Sequence, residues 1–165
     1  MKNKIVINLI ITLVIISMGY LVVTHRSIYN NFSLLFIIVS FFVYILGIVK
    51  DKESICAFGY IIGVVTVILI RNKYDNVINN DFYIFDWFKL VFKNKIVFVN
   101  VIGNLILYVP LFILMKNKLF TLLLLIVILE LLQYIFRLGV FDIIDIGLNT
   151  VGVLISSIIY KIKNW

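Results

Sequence analysis

Long apolar runs alternate with short charged clusters along the whole of this 165-residue chain. Six runs predict helices: residues 5–23, 32–49, 55–70, 96–115, 119–136 and 143–160. A helix crosses the hydrocarbon core of a bilayer with about 20 apolar residues, within a range of about 17 to 25. The third run is short, but Glu53 and Arg71 at its ends can snorkel and lengthen it. The expected fold class is all-α: a polytopic transmembrane helix bundle of about six helices, with five as the alternative. Residues 1–165 form a single membrane domain, with three N-terminal helices in 1–70, an outer loop in 71–95 and a three-helix core in 96–161. Lys2 and Lys4 resemble the start of a signal peptide, but no small-x-small cleavage site follows, so the first run is expected to be retained. Within the loop, residues 81–95 (DFYIFDWFKLVFKNK) place Ile84, Phe85, Phe88, Val91 and Phe92 on one face and Asp86, Lys89 and Lys93 away from it. That pattern predicts an amphipathic helix lying in the membrane interface before the fourth span, as an anchor or as a lid.

The interruptions inside the apolar runs follow a pattern of their own. Asn100 and Asn104 lie in the fourth run; Glu130, Gln133 and Arg137 in and after the fifth; Asp142, Asp145, Asn149 and Gly152 at and within the sixth. Spacings of three, four and seven put each set on one helix face. At 1.5 Å per residue, Asn104 lies roughly 12 Å from the start of its run, Glu130 roughly 9 Å from the end of its own, and Asn149 roughly 9 Å from the start of the last. The fifth helix runs opposite to its neighbours, so all three depths are measured from one membrane face. Asn100, Gln133 and Asp145 form a shallower layer on that side. A charged side chain at mid-helix costs about 2.5 to 3.5 kcal/mol on insertion scales, so these carboxylates must face the bundle interior or a wet cavity. Two readings follow. One is a ligand-binding polar cluster made of Asn100, Asn104, Glu130, Gln133, Arg137, Asp142, Asp145 and Asn149. The other is a network that only joins helices, with Arg137 bridging Glu130 and Asp142. Interhelical hydrogen bonds average about 0.6 kcal/mol in membranes, a small return for burying carboxylates.

Composition narrows the class further. The chain is 64% hydrophobic and 14% charged, with a mean hydropathy of +1.17, against about half apolar and a quarter charged for soluble domains. A water-soluble domain is excluded, and the membrane is the first expected partner. The net charge of +7 sits largely in flanking lysines, with no basic stretch long enough to track a nucleic acid. Lys2, Lys4, Lys50, Lys52, Lys116, Lys118, Lys161 and Lys163 fall on one side, against Arg26 and Arg137 in the short loops of the other. This favours cytoplasmic N- and C-termini, although the 71–95 loop adds five positive charges to the outer side. The cluster then opens toward the outer leaflet. A lone Cys56 and a lone His25 supply neither a disulfide nor a histidine-based site. With all groups ionised, Glu130, Asp142 and Asp145 against Arg137 leave the cluster negative by about two charges. A bare pyrophosphate would be repelled unless a divalent cation at Glu130, Asp142 and Asp145 bridged it; no cofactor is expected beyond that option. Gly59-x3-Gly63 and Gly152-x3-Ser156 predict close helix packing. Pro110 predicts a kink.

The spacing Asn-x3-Asn, Leu-x-Val-Pro-Leu, Glu-Leu-Leu-Gln and Phe-Asp-Ile-x-Asp-x3-Asn-Thr-x-Gly resembles the VanZ-like family over residues 95–161. The residues that carry it are Asn100, Asn104, Pro110, Leu111, Glu130, Gln133, Asp142, Asp145, Asn149 and Gly152. Two positions depart from the pattern: Phe112 stands where a glycine usually follows Pro-Leu, and Gly139 where an arginine often precedes the first aspartate. The resemblance implies a bacterial multi-pass protein of the cytoplasmic membrane, from a family whose founding member is associated with teicoplanin resistance and whose biochemical activity is not defined. A lipid-linked envelope precursor or an amphiphilic antibiotic is then the expected ligand. The alternative is a small proton- or ion-coupled transporter or flippase using Glu130. Discontinuous helices or inverted repeats would support it, and neither is evident in the sequence. A hydrolase using Glu130 and Asp145 as an acid-base pair lacks an activated nucleophile.

Overall fold

The computed structural model describes residues 2–25, 28–70, 93, 95–116, 118–138 and 143–163. Among the described residues seven helices occupy the six apolar runs: α1 (Lys2–Thr24), α2 (Ser33–Val49), α3 (Glu53–Leu69), α4 (Lys95–Leu107), α5 (Val109–Leu114), α6 (Leu119–Ile135) and α7 (Ile143–Lys163). No strand occurs among the described residues, so the all-α expectation holds. The interfacial helix expected at 81–95 and the site residue Asp142 lie outside the described residues, the helix but for its last positions.

The fourth run forms two helices rather than one. Pro110 has no N–H to offer the Ile106 carbonyl, and its ring crowds that carbonyl. The helix therefore ends at Leu107, turns through Tyr108 and restarts at Val109.

Three helix ends turn through the left-handed region without glycine. Asp51, Lys116 and Arg137 have φ of 53°, 52° and 56°, each one residue past a C-cap. After α2, the N–H groups of Lys52 and Asp51 donate to the carbonyls of Gly47 (2.9 Å) and Ile48 (3.1 Å). After α6, those of Leu138 and Arg137 donate to Gln133 (2.9 Å) and Tyr134 (3.1 Å). These paired bonds satisfy carbonyls that a helix end would otherwise strand.

Small residues set a tight seam between α2 and α3. A Cβ on Gly59 would meet the Tyr44 backbone nitrogen at 2.6 Å, one on Gly47 the Cys56 backbone nitrogen at 2.6 Å, and one on Gly63 the Ser40 hydroxyl at 2.8 Å. Close approach lets side-chain hydroxyls reach the facing backbone: Ser40 donates to the Gly59 carbonyl at 2.7 Å and Ser33 to that of Ile70 at 2.5 Å. Helix α1 lays Ile11, Ile15, Met18 and Val22 against this pair, at helical spacing, and Tyr44 donates to Asn8 Oδ1 at 3.2 Å. In the C-terminal half, α7 packs on α4, α5 and α6. Helix α3 connects the two halves through α5 and α6.

The distribution of polarity is inverted relative to a water-soluble protein. Ser33, Ser40, Thr66, Glu130, Gln133, Asn149, Ser156 and Ser157 are buried. Among the described residues, exposed large hydrophobics such as Leu13, Phe42, Phe120 and Ile158 outnumber the buried ones. Apolar surface on this scale calls for a lipid or protein partner. Ile5–Thr24 is 20 residues long and apolar enough to cross a membrane by itself; five further apolar helices run 10–17 residues.

Candidate functional site

Helix α7 carries Asp145, Asn149 and Gly152 on one face, and its approach to α4 sets the site. A Cβ on Gly152 would overlap the Leu105 carbonyl oxygen, so only glycine allows the two helices this close. Helical side chains lean toward the N-terminus while carbonyls point toward the C-terminus. One turn of α4 can therefore reach both ends of the face: the Leu105 carbonyl sits on Gly152, and Asn104 Nδ2 donates to Asp145 Oδ1 at 2.5 Å. A charge-assisted bond of this kind holds the carboxylate toward α4. Asn100, one turn before Asn104, is exposed.

Helix α6 contributes the second wall. Leu122, Ile126, Leu129, Glu130 and Gln133 are its buried face, so the Glu130 carboxylate, 6% exposed, lies on the packing side of the helix. The fully buried Tyr108, at the break between α4 and α5, lies within electrostatic reach of Glu130. Tyr60 of α3 is within the same kind of reach of Tyr108 and donates its hydroxyl to the Leu107 carbonyl at 2.8 Å. Neither phenol belongs to the polar pattern read from the sequence. The signal that could have found them is position: both tyrosines sit mid-segment, whereas membrane tyrosines concentrate at the interfaces.

Asn149 is 2% exposed, and its Oδ1 has no hydrogen-bond partner among the described residues. A buried amide oxygen left without a donor is costly, which marks the position as one that a donor-bearing group would relieve. It lies six residues after the start of α7, and Glu130 five before the end of α6. At 1.5 Å per residue these are about 9 and about 8 Å from the same end of the bundle.

The structure thus joins Asn104 to Asp145, buries Glu130, Gln133 and Asn149 at neighbouring heights, and sets Gly152 behind them. Arg137 lies beyond the helix that carries Glu130 and Gln133. Helix α6 ends at Ile135, and Arg137 is exposed in the left-handed turn that follows. The i+4 relation to Gln133 holds only while a helix continues, and here the helix has stopped. Gly59 and Gly63 face α2 across the N-terminal seam, and Pro110 is at the break. No group of three His, Cys, Asp or Glu side chains able to hold a metal ion occurs among the described residues. The groups gathered here are two carboxylates, the amides of Asn104, Gln133 and Asn149, and the Tyr108 phenol, so the layer offers donors as well as acceptors.

A family model described as VanZ/LLP1 matches residues 57–164, well over half of the chain. The match takes in α3 as well as the helices that carry the polar residues. No curated protein and no solved structure matches the chain.

Proposed function

The chain belongs to the VanZ/LLP1 family, and on that premise we propose that it is a multi-pass protein of the bacterial cytoplasmic membrane that binds an amphiphilic envelope compound at its polar layer. The ligand is a lipid-linked cell-wall precursor or an amphiphilic antibiotic, and the outcome is lowered susceptibility to glycopeptides of the teicoplanin type. In this reading the chain has six spans and cytoplasmic N- and C-termini, and the Asp145 end of the bundle faces the outer leaflet, where such compounds are met. The observation that carries the reading is the Asn104–Asp145 bond, set beside a buried Glu130 and an Asn149 oxygen that has no donor among the described residues.

The test is isosteric. Glu130→Gln and Asp145→Asn keep volume, and Asp145→Asn keeps an oxygen able to accept from Asn104. Both variants are expected to reach wild-type membrane abundance and to lose any teicoplanin protection that the wild type confers in a susceptible host. Protection retained by both at equal abundance overturns the reading.

One observation favours a second reading, a proton- or ion-coupled transporter or flippase. The fourth span is discontinuous at Tyr108, and the break lies beside the buried Glu130. Broken helices commonly form the coupling sites of transporters. Proton-coupled lipid movement in proteoliposomes that stops with Glu130→Gln supports this version, and movement indifferent to that change removes it.

A further inference from the structure

A second candidate site lies at the other end of the bundle. The α2–α3 turn and the α5–α6 turn meet there and open a cleft of about 770 Å³. Its walls are apolar, with Phe58 and Ile61 from α3 facing Leu114 from α5, and Lys52, Lys116 and Lys118 stand at its rim. Phe58 is 60% exposed, so the cleft opens sideways from the bundle rather than inward. From Glu53, the first residue of α3, to Ile61 is eight residues, about 12 Å along the helix axis. One leaflet of hydrocarbon is about 15 Å deep. The cleft therefore has the vertical anatomy of a phospholipid: cationic where a headgroup sits, apolar over most of the depth of one acyl leaflet.

We propose that this cleft binds an anionic phospholipid, with the phosphate at Lys52 and Lys118 and an acyl chain along Phe58, Ile61 and Leu114. Charge selects the class. Two acids share the cleft, Asp51 and Glu53, against three lysines, and Glu53 is already met by Lys116 at 2.7 Å. The remaining balance is positive, and Lys50 adjoins it. A zwitterionic lipid brings its own cation to a rim that has cations to spare, whereas an anionic lipid supplies what the rim lacks. Basic pockets at helix ends recognise acidic headgroups on this principle. The site is separate from the polar layer: it uses the opposite ends of α3, α5 and α6, and none of Asn104, Glu130, Asp145 or Asn149.

Native mass spectrometry of the full chain in detergent, titrated with dioleoyl phosphatidylglycerol and dioleoyl phosphatidylcholine, tests it. Phosphatidylglycerol is expected to bind at least fivefold more tightly. Each rim lysine near a headgroup accounts for about fivefold, so Lys52→Gln/Lys118→Gln should bring phosphatidylglycerol down to the phosphatidylcholine level. Both lysines are exposed, and the double variant is expected to melt with the wild type. Lys161→Gln/Lys163→Gln, at the end of α7, removes the same two charges and is the control that should keep the preference. Equal binding of the two lipids overturns the proposal. So does a preference that survives in the double variant or disappears in the control. Glycerol phosphate, which has no acyl chains, should fail to compete, and competition by it removes the apolar half of the proposal. None of these results bears on teicoplanin susceptibility, so the two readings fail separately.

Discussion

The Tyr60 hydroxyl donates to the Leu107 carbonyl at 2.8 Å, so a side chain of α3 caps the broken end of α4. In an unbroken helix that carbonyl would accept from Leu111. Across the break, the bond from α3 takes that role and fixes where the turn through Tyr108 lies. It also ties the N-terminal three helices to the half that carries the polar layer. Tyr60→Phe removes the donor and leaves the carbonyl buried. A cost of about 1–2 kcal/mol is expected, read as a fall of about 2–8 °C in melting temperature in detergent. Unchanged melting would mean that the break is held by packing alone.

The glycines divide into two kinds, and alanine should separate them. At Gly152 a methyl group meets the Leu105 carbonyl, and at Gly59 it meets the Tyr44 backbone, neither of which can swing aside. Each Gly→Ala change there is expected to destabilise by about 1–3 kcal/mol. At Gly103 and Gly147 nothing lies within 4 Å of the added carbon. Alanine there should be neutral or stabilising, by up to about 1 kcal/mol. Thermal melts of the four variants make the comparison.

Asn104 and Asp145 should couple energetically. A double-mutant cycle with Asn104→Leu and Asp145→Leu, read by denaturation in detergent, is expected to give an interaction of about 0.6–1.7 kcal/mol. Asp145→Asn, which keeps an acceptor for Asn104, should cost less than Asp145→Leu. Additive single changes would disconnect the two helices at this height.

Arg137 gives a prediction of the opposite sign. It occupies a left-handed turn position that glycine adopts without strain. Arg137→Gly is expected to stabilise by up to about 1 kcal/mol and, because Arg137 is exposed beyond the end of α6, to leave intact any teicoplanin protection that the wild type confers. Loss of protection at equal abundance would return Arg137 to the site.

Much of the fold is legible in the apolar runs, because charged clusters and turns punctuate them where helices end. The six runs match the helical spans to within a few residues at the ends that the structure describes. The face shared by Asp145, Asn149 and Gly152 is legible for the same reason: regular helix geometry carries spacing into space. What spacing cannot carry is the place where regularity stops. Gln133 and Arg137 look like neighbours only if α6 continues, and nothing in Ile135, Phe136 and Arg137 advertises a left-handed turn, because no glycine marks it. Pro110 announces a disturbance but not its outcome, since whether a helix bends or breaks depends on what donor waits nearby. Here that donor is a tyrosine from 47 residues earlier. Tyr60 and Tyr108 themselves escape notice because a phenol is apolar enough to belong to a run and polar enough to matter within it.

The α2–α3 seam bears on biogenesis. Two helices joined by a three-residue turn, with glycines at contact and serine hydroxyls bonded to the facing backbone, need no third helix to complete their interface. Such a hairpin can close as soon as residue 70 has left the ribosome and can meet the rest of the chain as a preassembled pair. The later helices, α4 to α7, would then dock onto a surface that already exists, with Tyr60 waiting on it. Birth order along the chain thus places the donor before the broken helix that will need it.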